Sequence, residues 1–225
     1  MAKLVFDNET STPTQQPMTL VCFAVKEEAA PFHRLCASRP GVETLLTGMG
    51  SHNAQNGIRA ALTGQKPELV LTCGFAGGLR PDLVSGTVVF SVDTETGLEA
   101  ALLAAGARAG RFHCAPKVAT TADEKRTLWK TTGADAVEME SQIVCAVCRE
   151  HKIPSGIVRV ILDTADEDLP LDFNRLMNDR QKMNYGKLAF ALVKAPGRVS
   201  ALLRLQKQSQ AAAQKLAQVL AKVLQ

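Results

Sequence analysis

The chain has 225 residues, 46% apolar and 21% charged, a composition typical of globular proteins and long enough for one sizeable core. The net charge of +4 and the low aromatic content, with one Trp and one Tyr, argue against a nucleic-acid partner. Because no apolar run approaches about 18 residues and the first segment is polar, we expect a cytoplasmic protein with neither a membrane span nor a secretory signal.

Along the chain, residues 1–17 are predicted to form a flexible tail, and 18–225 a single domain. Short apolar runs rich in β-forming residues predict strands, and periodic or Ala-rich runs predict helices. The predicted strands cover 18–25, 42–50, 67–79, 86–93, 117–122 and 153–168, the last ending in an acidic loop, and ADAVEMES (134–141) is predicted to pass from strand to helix. A loop entering a helix is predicted over 26–36, and helices are predicted over 51–64 with Ser51 as N-cap, 95–110, 123–133, the residues after 141, and much of the chain from 172. The last of these, over 199–225, is amphipathic.

Strands and helices alternate, which favours an α/β fold: a central mixed, largely parallel sheet with helices on both faces. Ligands of such folds bind beyond the carboxyl ends of the strands. Acidic residues follow several predicted strands, so we expect a composite site at that edge of the sheet.

Six cysteines are scattered along the chain, mostly in apolar runs, and are expected to be reduced and buried. Cys145 and Cys148 form a CxxC on a predicted helix. Without a second pair this favours core packing over a zinc site, and the four histidines have no metal-ligand spacing. We therefore predict no metal.

Four carboxylates are the candidate chemical groups. They are Glu28, Glu138, Glu140 and Asp163. Taken singly, each also suits a helix N-terminus or a turn. Together they suit acid–base work such as glycosidic-bond hydrolysis, in which one group activates water and another protonates the leaving group. The segment GFAGG (74–78) is either a tight structural turn or a backbone approach to a ligand.

Five segments occur in the order found in the nucleoside phosphorylase/nucleosidase superfamily, and the chain resembles its 5'-methylthioadenosine/S-adenosylhomocysteine nucleosidases. They are FAVKEEAAPF, LLTGMGSHNA, ELVLTCGFAGGL, DAVEMESQIVCAVC and VRVILDTAD. The short middle, the loop DTADEDLPLDF and the Leu-Leu-Arg-Leu helix also resemble the hopanoid-associated branch, which is thought to remove adenine from adenosylhopane. The resemblance implies a three-layer α/β/α fold without a cofactor.

The resemblance also implies roles for the acids. Asp163 would protonate the purine at N7, and Glu28 would activate the attacking water. Glu140 would hold the ribose hydroxyls, with Met139 against the sugar and Glu138 as the less certain partner. Gly74 and Phe75 would line the substrate site.

Several positions depart from the family pattern. Phe75 and Leu162 replace serines, and Thr72 replaces the arginine that helps phosphorylases hold phosphate. These changes favour water over phosphate as the nucleophile. The segment between Asp93 and Val137 is short, and DEK (123–125) lies roughly where an aromatic residue often covers the purine, which predicts a more open pocket.

The leading hypothesis is a nucleosidase that releases adenine from a nucleoside with a bulky 5' substituent. A phosphorylase with phosphate as co-substrate is the alternative, and a non-catalytic nucleoside-binding module is a third possibility. The resemblance implies a homodimer. The basic 198–225 helix would touch a membrane if the substrate is a lipid, although packing on the domain or on a second subunit is the more ordinary explanation.

Overall fold

The computed structural model describes residues 18–178, 184, 186 and 196–225, so the predicted tail over 1–17 lies outside the described residues. The strands are β1 (Thr19–Phe23), β2 (Val42–Leu46), β3 (Leu69–Gly78), β4 (Val88–Val92), β5 (Arg108–Ala109), β6 (Phe112–Cys114), β7 (Ala136–Glu138) and β8 (Ser155–Asp163). The helices are α1 (Lys26–Cys36), α2 (Ser51–Gly64), α3 (Glu99–Ala104), α4 (Ala122–Thr132), α5 (Ser141–Glu150), α6 (Phe173–Leu176) and α7 (Val199–Val223).

The strands form one mixed, largely parallel sheet, which confirms the predicted fold class. Its main path runs β2-β1-β3-β8-β4-β5. The central pairs β1–β2, β1–β3 and β3–β8 are parallel, whereas β4 runs antiparallel to β8. At its carboxyl end β3 also pairs with β7, which carries β6 on its other side. The carboxyl ends of β1, β3 and β8 therefore meet at one edge.

Helices cover both faces of the sheet. One core contains apolar residues of α1, α3 and α7, together with inward residues of β1, β3, β4 and β8. The other lies between the opposite face and helices α2 and α5. Strands buried on both faces read as nearly continuous apolar runs, as TLVCF does in β1. The free thiol of Cys148 is buried in the second core, where packing explains the CxxC spacing.

Helix α7 runs antiparallel to the central strands. Near its end, Arg39 donates hydrogen bonds to the carbonyls of Ala221 and Leu224, at the side of the sheet where β2 begins. Nearer its start, Gln208 Nε2 donates to the carbonyl of Leu162 at the end of β8, over 2.8 Å. The first turns of α7 therefore extend past the carboxyl ends of the strands. No helix in the described part of the chain is long and apolar enough to span a bilayer.

The structure corrects several predicted elements. GFAGG lies within β3 and is not a turn after it. The predicted helix over 95–110 shortens to α3, and its last residues form β5. Residues 117–122 do not form the predicted strand, because the Asn174 side chain bonds both the N–H and the carbonyl of Val118 in place of a neighbouring strand. Gly50, rather than Ser51, is the N-cap of α2.

A register shift interrupts the β3–β8 pairing near its carboxyl end. Ala76 pairs with Ile161, but the next residue, Gly77, pairs with Asp163, so Leu162 is the extra residue of a bulge. The Leu162 carbonyl instead accepts hydrogen bonds from Ser85 Oγ and Gln208 Nε2. The bulge places Asp163 opposite Gly77.

Candidate active site

All four acids predicted from the sequence are buried at the carboxyl edge of the sheet. Glu28, Glu138, Glu140 and Asp163 expose 5%, 5%, 7% and 7% of their surface. Buried carboxylates need donors or cations close by. The structure supplies them through two basic residues, and it thereby divides the acids into a group of three and a group of one.

Glu28 lies in the first turn of α1, where its carboxylate joins the ends of β1 and β3. One oxygen accepts from the N–H groups of Ala24 and Val25 at 3.1 and 3.3 Å, and the other accepts from Phe75 N–H at 2.8 Å. Burial raises the pKa of Glu28 to about 7, although nearby Arg159 and these N–H groups oppose the rise. Glu28 can therefore take up a proton near neutral pH.

Gly74 allows β3 to pass this close to Glu28. A Cβ atom at this position would lie 2.7 Å from Glu28 Oε1 and 2.7 Å from Arg159 Nη1, and the backbone φ is +144°. Both the space and the conformation favour glycine. The glycine-rich segment thus lets the strand approach buried charges of the protein itself, which is neither of the two alternatives, a tight turn or a backbone approach to a ligand, that the sequence left open.

Arg159 is the centre of the group of three acids, and the sequence analysis assigned it no role. It lies in β8, its side chain is 1% exposed, and it donates to Glu138 at 2.7 Å and to Glu140 at 3.3 Å. Burial alone would lower the pKa of Arg159, but the surrounding glutamates outweigh this effect and raise it. A charged residue inside the apolar run IVRVIL was the signal that could have found it.

Glu138 and Glu140 differ in how fully the protein occupies their oxygens. Glu138 accepts from the N–H groups of Glu140 and Ser141, from Ser141 Oγ at 2.6 Å, and from Arg159. Glu140 accepts from Gly50 N–H at 2.7 Å and from Arg159, which leaves it more acceptor capacity. Burial raises the pKa of Glu140, against the effect of Arg159. Met139 between them is half-buried.

Asp163 has a different cationic partner, Lys125 of α4. The Lys125 side chain is fully buried, and its Nζ contacts Asp163 Oδ2. Burial raises the pKa of Asp163, while the Lys125 ammonium opposes the rise. In the sequence analysis, Lys125 was part of the segment DEK, which was expected to leave the base pocket open. In the structure, its ammonium group is buried and forms an ion pair with Asp163.

The group of three acids and the single acid Asp163 lie against different glycines of β3. Gly74 lies against Glu28 and Arg159, and a Cβ on Gly77 would lie 3.5 Å from Asp163 Oδ2. Three residues of extended strand span roughly 10 Å. The arrangement therefore offers a proton acceptor and a proton donor separated along one strand, with Glu140 on the acceptor side. Within the described ranges, no three His, Cys, Asp or Glu side chains are grouped to hold a metal ion.

Comparison with known proteins shows which proteins this chain resembles. The family model described as "Phosphorylase superfamily" matches residues 97–195, which include α4, β7 and β8. A curated relative, the 5'-methylthioadenosine/S-adenosylhomocysteine nucleosidase of Glaesserella parasuis, is 25% identical over 170 residues, 60% of this chain and 74% of the relative. The family model covers 99 of the 225 residues, so the chain is similar to the phosphorylase superfamily over part of its length.

Solved structures show that this chain shares its fold with a futalosine hydrolase and a 5'-methylthioadenosine/S-adenosylhomocysteine nucleosidase. Futalosine hydrolase of Helicobacter pylori aligns with a TM-score of 0.65 at 17% identity, over 91% of this chain and 97% of that one. The Campylobacter jejuni 5'-methylthioadenosine/S-adenosylhomocysteine nucleosidase aligns with a TM-score of 0.66 at 16% identity, over 92% and 98%. At these identities the likeness concerns the fold, and the chemistry has to be argued from the site.

Proposed function

We propose that the protein is a nucleosidase that hydrolyses the N-glycosidic bond of an adenine nucleoside with a bulky apolar 5' substituent. The observation that carries the proposal is the placement of Glu28 and Asp163, two buried carboxyl groups with different surroundings, against Gly74 and Gly77 of one strand. Pairs of acids whose environments differ are suited to opposite roles in acid–base catalysis.

On the base side, Asp163 protonates N7 of the purine. The glycosidic bond then breaks with its electron pair moving to the base, and positive charge develops on the ribose. Burial raises the pKa of Asp163, which favours the protonated form that this step requires.

On the sugar side, Glu28 accepts a proton from water as the water oxygen bonds to the anomeric carbon. Glu140 accepts hydrogen bonds from the ribose hydroxyls, and Met139 packs against the sugar. Carboxylates around the ribose stabilise the positive charge of the transition state. Glu138, whose oxygens are already occupied by protein donors, acts by holding Arg159 and the backbone of Glu140 in place.

The surroundings of Thr72 support water as the nucleophile. Thr72 stands where phosphorylases of this family carry an arginine, and its hydroxyl accepts from Arg159 Nη2 at 3.2 Å. Arg159 is itself 1% exposed and paired with Glu138 and Glu140, so its charge is committed to carboxylates and is poorly placed to bind phosphate.

An apolar surface beside the site supports a bulky 5' group such as that of adenosylhopane. Phe75 and Leu162 are half-buried on the face of the sheet that α7 covers. Gln208 fixes α7 at the end of β8, and Val199, nine residues earlier, lies about 13 Å farther along the helix. There Val199 and Leu203 expose 42% and 54% of their surface.

A nucleoside panel tests the proposal. Adenosine, methylthioadenosine, S-adenosylhomocysteine and a lipid-linked adenosine are incubated in phosphate-free buffer, and released adenine is measured. We expect adenine from the substrates with apolar 5' groups. Asp163→Asn and Glu28→Gln should each lower kcat by about 100- to 10,000-fold. Glu27→Gln, on the exposed neighbour of Glu28, is the control and should retain wild-type activity.

The products separate the proposal from its alternatives. A sugar 1-phosphate as the main product in phosphate buffer would identify a phosphorylase and overturn the argument from Thr72. Tight binding of adenine nucleosides without adenine release from any of them would identify a binding module. Full activity of Asp163→Asn would overturn the assignment of the acid.

Two further expectations concern partners. We expect a homodimer, which sedimentation equilibrium would detect. We also expect the exposed start of α7 to contact an anionic bilayer if the substrate is a lipid, since Arg198, Arg204 and Lys207 are exposed beside Val199 and Leu203. Co-sedimentation with vesicles containing phosphatidylserine, compared for wild type and Leu203→Gln, tests this contact.

A further inference from the structure

Lys125 is a fully buried lysine whose ammonium group lies among three oxygen atoms. Its side chain is 0% exposed. Its Nζ forms an ion pair with Asp163 Oδ2, and it donates hydrogen bonds to the carbonyl of Thr164 at 2.8 Å and to that of Glu167 at 2.6 Å. Two of the three ammonium donors are thus hydrogen-bonded to backbone carbonyls, and the charge is paired with Asp163. Buried lysines are rare because the desolvated charge is costly, so this arrangement requires a specific explanation.

The start of α4 is well defined, which limits the positions that Lys125 can adopt. Thr121 caps the helix in a reciprocal capping box with Glu124. The Glu124 carboxylate also accepts from Thr120 N–H at 2.7 Å. Lys125 follows directly in the chain, so its backbone lies at the capped first turn.

The same start of α4 is bonded to the loop after β8, which supplies both carbonyl partners of Lys125. Asp168 of this loop accepts from Ala122 N–H at 2.7 Å. Leu169 N–H donates to the carbonyl of Thr120 at 2.8 Å. The helix and the loop therefore hold one another in register, and the ammonium is fixed beside the acid at the end of β8.

We propose that Lys125 is a positioning residue for the base-side step: it orients Asp163 through Oδ2 and stabilises the carboxylate that remains after Asp163 gives its proton to the base. The inference rests on the proposed function. In the step, the Asp163 O–H bond breaks as the proton bonds to N7, and the glycosidic electron pair passes to the base. The negative charge left on Asp163 then lies against the Lys125 ammonium, while Glu28 takes the proton lost by water.

The groups around Asp163 define how its titration depends on Lys125. Lys125 faces it from α4, and Glu167, from the loop after β8, is the other charged residue acting on it. The neighbouring strands present the uncharged Gly77 and Val137. Burial raises the pKa of Asp163 and Lys125 opposes that rise, so removal of the ammonium should raise the pKa further.

The pH dependence of kcat/KM for adenine release tests the inference. Because Asp163 must be protonated, its ionisation produces the basic limb of the profile. In Lys125→Met this limb should move to higher pH by about 1–3 units, the effect of losing an adjacent opposite charge. The maximal rate should fall, since the conjugate base has lost its cation. Arg126→Met is the matched control: Arg126 is exposed on the same helix and pairs with Asp123, and its removal should leave the limb in place.

A lower rate in Lys125→Met with an unmoved basic limb would show a merely structural role and overturn the proposal. NMR of the wild-type protein provides a second test that does not need the variant to fold. The ¹³Cγ signal of Asp163 and the ¹⁵Nζ signal of Lys125 should respond to pH together, and independent responses would overturn the proposal. Absence of adenine release by the wild type would instead overturn the proposed function, and the NMR experiment would still decide whether the two groups are coupled.

Discussion

Carboxylates are buried on both the sugar side and the base side of the proposed site, and the two sides differ in the cation that pairs with them. On the sugar side, the Arg159 guanidinium in the middle of the sheet forms ion pairs with Glu138 and Glu140, and it interacts with Glu28 at longer range. On the base side, one ammonium on a peripheral helix serves Asp163 alone. The first arrangement leaves more acids than cations, and the second is balanced one to one.

This difference suits the chemistry expected of each side. An excess of carboxylates stabilises positive charge that appears on the ribose. A matched pair instead stabilises negative charge that appears on a single acid after it loses its proton. We therefore expect loss of the sugar-side cation, Arg159, to act mainly on stability, and loss of the base-side cation, Lys125, to act mainly on the proton transfer from Asp163.

The largest effect on stability is expected from Arg159→Met. Removing the shared cation leaves Glu138 and Glu140 buried without it, which should lower the free energy of unfolding by about 3–5 kcal/mol. Urea denaturation followed by circular dichroism measures the change. In the double variant Arg159→Met/Glu138→Gln part of the loss should be recovered, because one buried charge has also been removed. Strictly additive losses would contradict the shared-cation arrangement.

Glu28→Gln should change how stability depends on pH. In the folded protein the pKa of Glu28 is raised from 4.5 to about 7, so the folded state holds a proton that the unfolded state has lost between these values. The free energy of unfolding should therefore decline as the pH rises from 4.5 to 7, by about 3 kcal/mol from this residue, and then level off. Denaturation at several pH values should show a flatter decline in Glu28→Gln. The exposed Glu27→Gln variant should follow the wild type, and an identical decline in both variants would refute the assignment.

Gly74→Ala tests how closely the sugar-side charges surround the strand. The new methyl group would meet Glu28 and Arg159 at 2.7 Å, in a backbone conformation that alanine rarely adopts. We expect a loss of about 2 kcal/mol in the free energy of unfolding. Gly64→Ala is the control, because its Cβ would meet no atom within 4 Å, and the thermal midpoint of that variant should not fall.

The smallest effect is expected on the base side, from Thr121→Ala. Thr121 Oγ accepts from Glu124 N–H at 3.2 Å at the start of α4, and loss of such a cap costs about 1 kcal/mol. Thr131→Ala, later in the same helix, should be close to neutral, since that hydroxyl bonds within the helix to the carbonyl of Thr127. Chemical denaturation of both variants would show the difference, and a larger loss for Thr131→Ala would contradict the capping arrangement.

The sequence predicted the layered fold and the positions of the acids because both follow local patterns. Alternating apolar runs predicted the central strands, and Glu28, Glu140 and Asp163 were found because they follow strands. The cations were missed for a physical reason: Arg159 and Lys125 acquire their roles through contacts between distant elements. The interruption of an apolar strand by Arg159 was a visible local signal. Nothing local distinguished Lys125 from its exposed neighbour Arg126.

The bulge at Leu162 determines where Asp163 lies along β3. Regular pairing after Ala76 and Ile161 would set Leu162 opposite Gly77 and Asp163 opposite Gly78, so the extra residue brings the acid back by one position along β3. The reach of the acid therefore depends on the bulge as well as on the identity of the chemical groups.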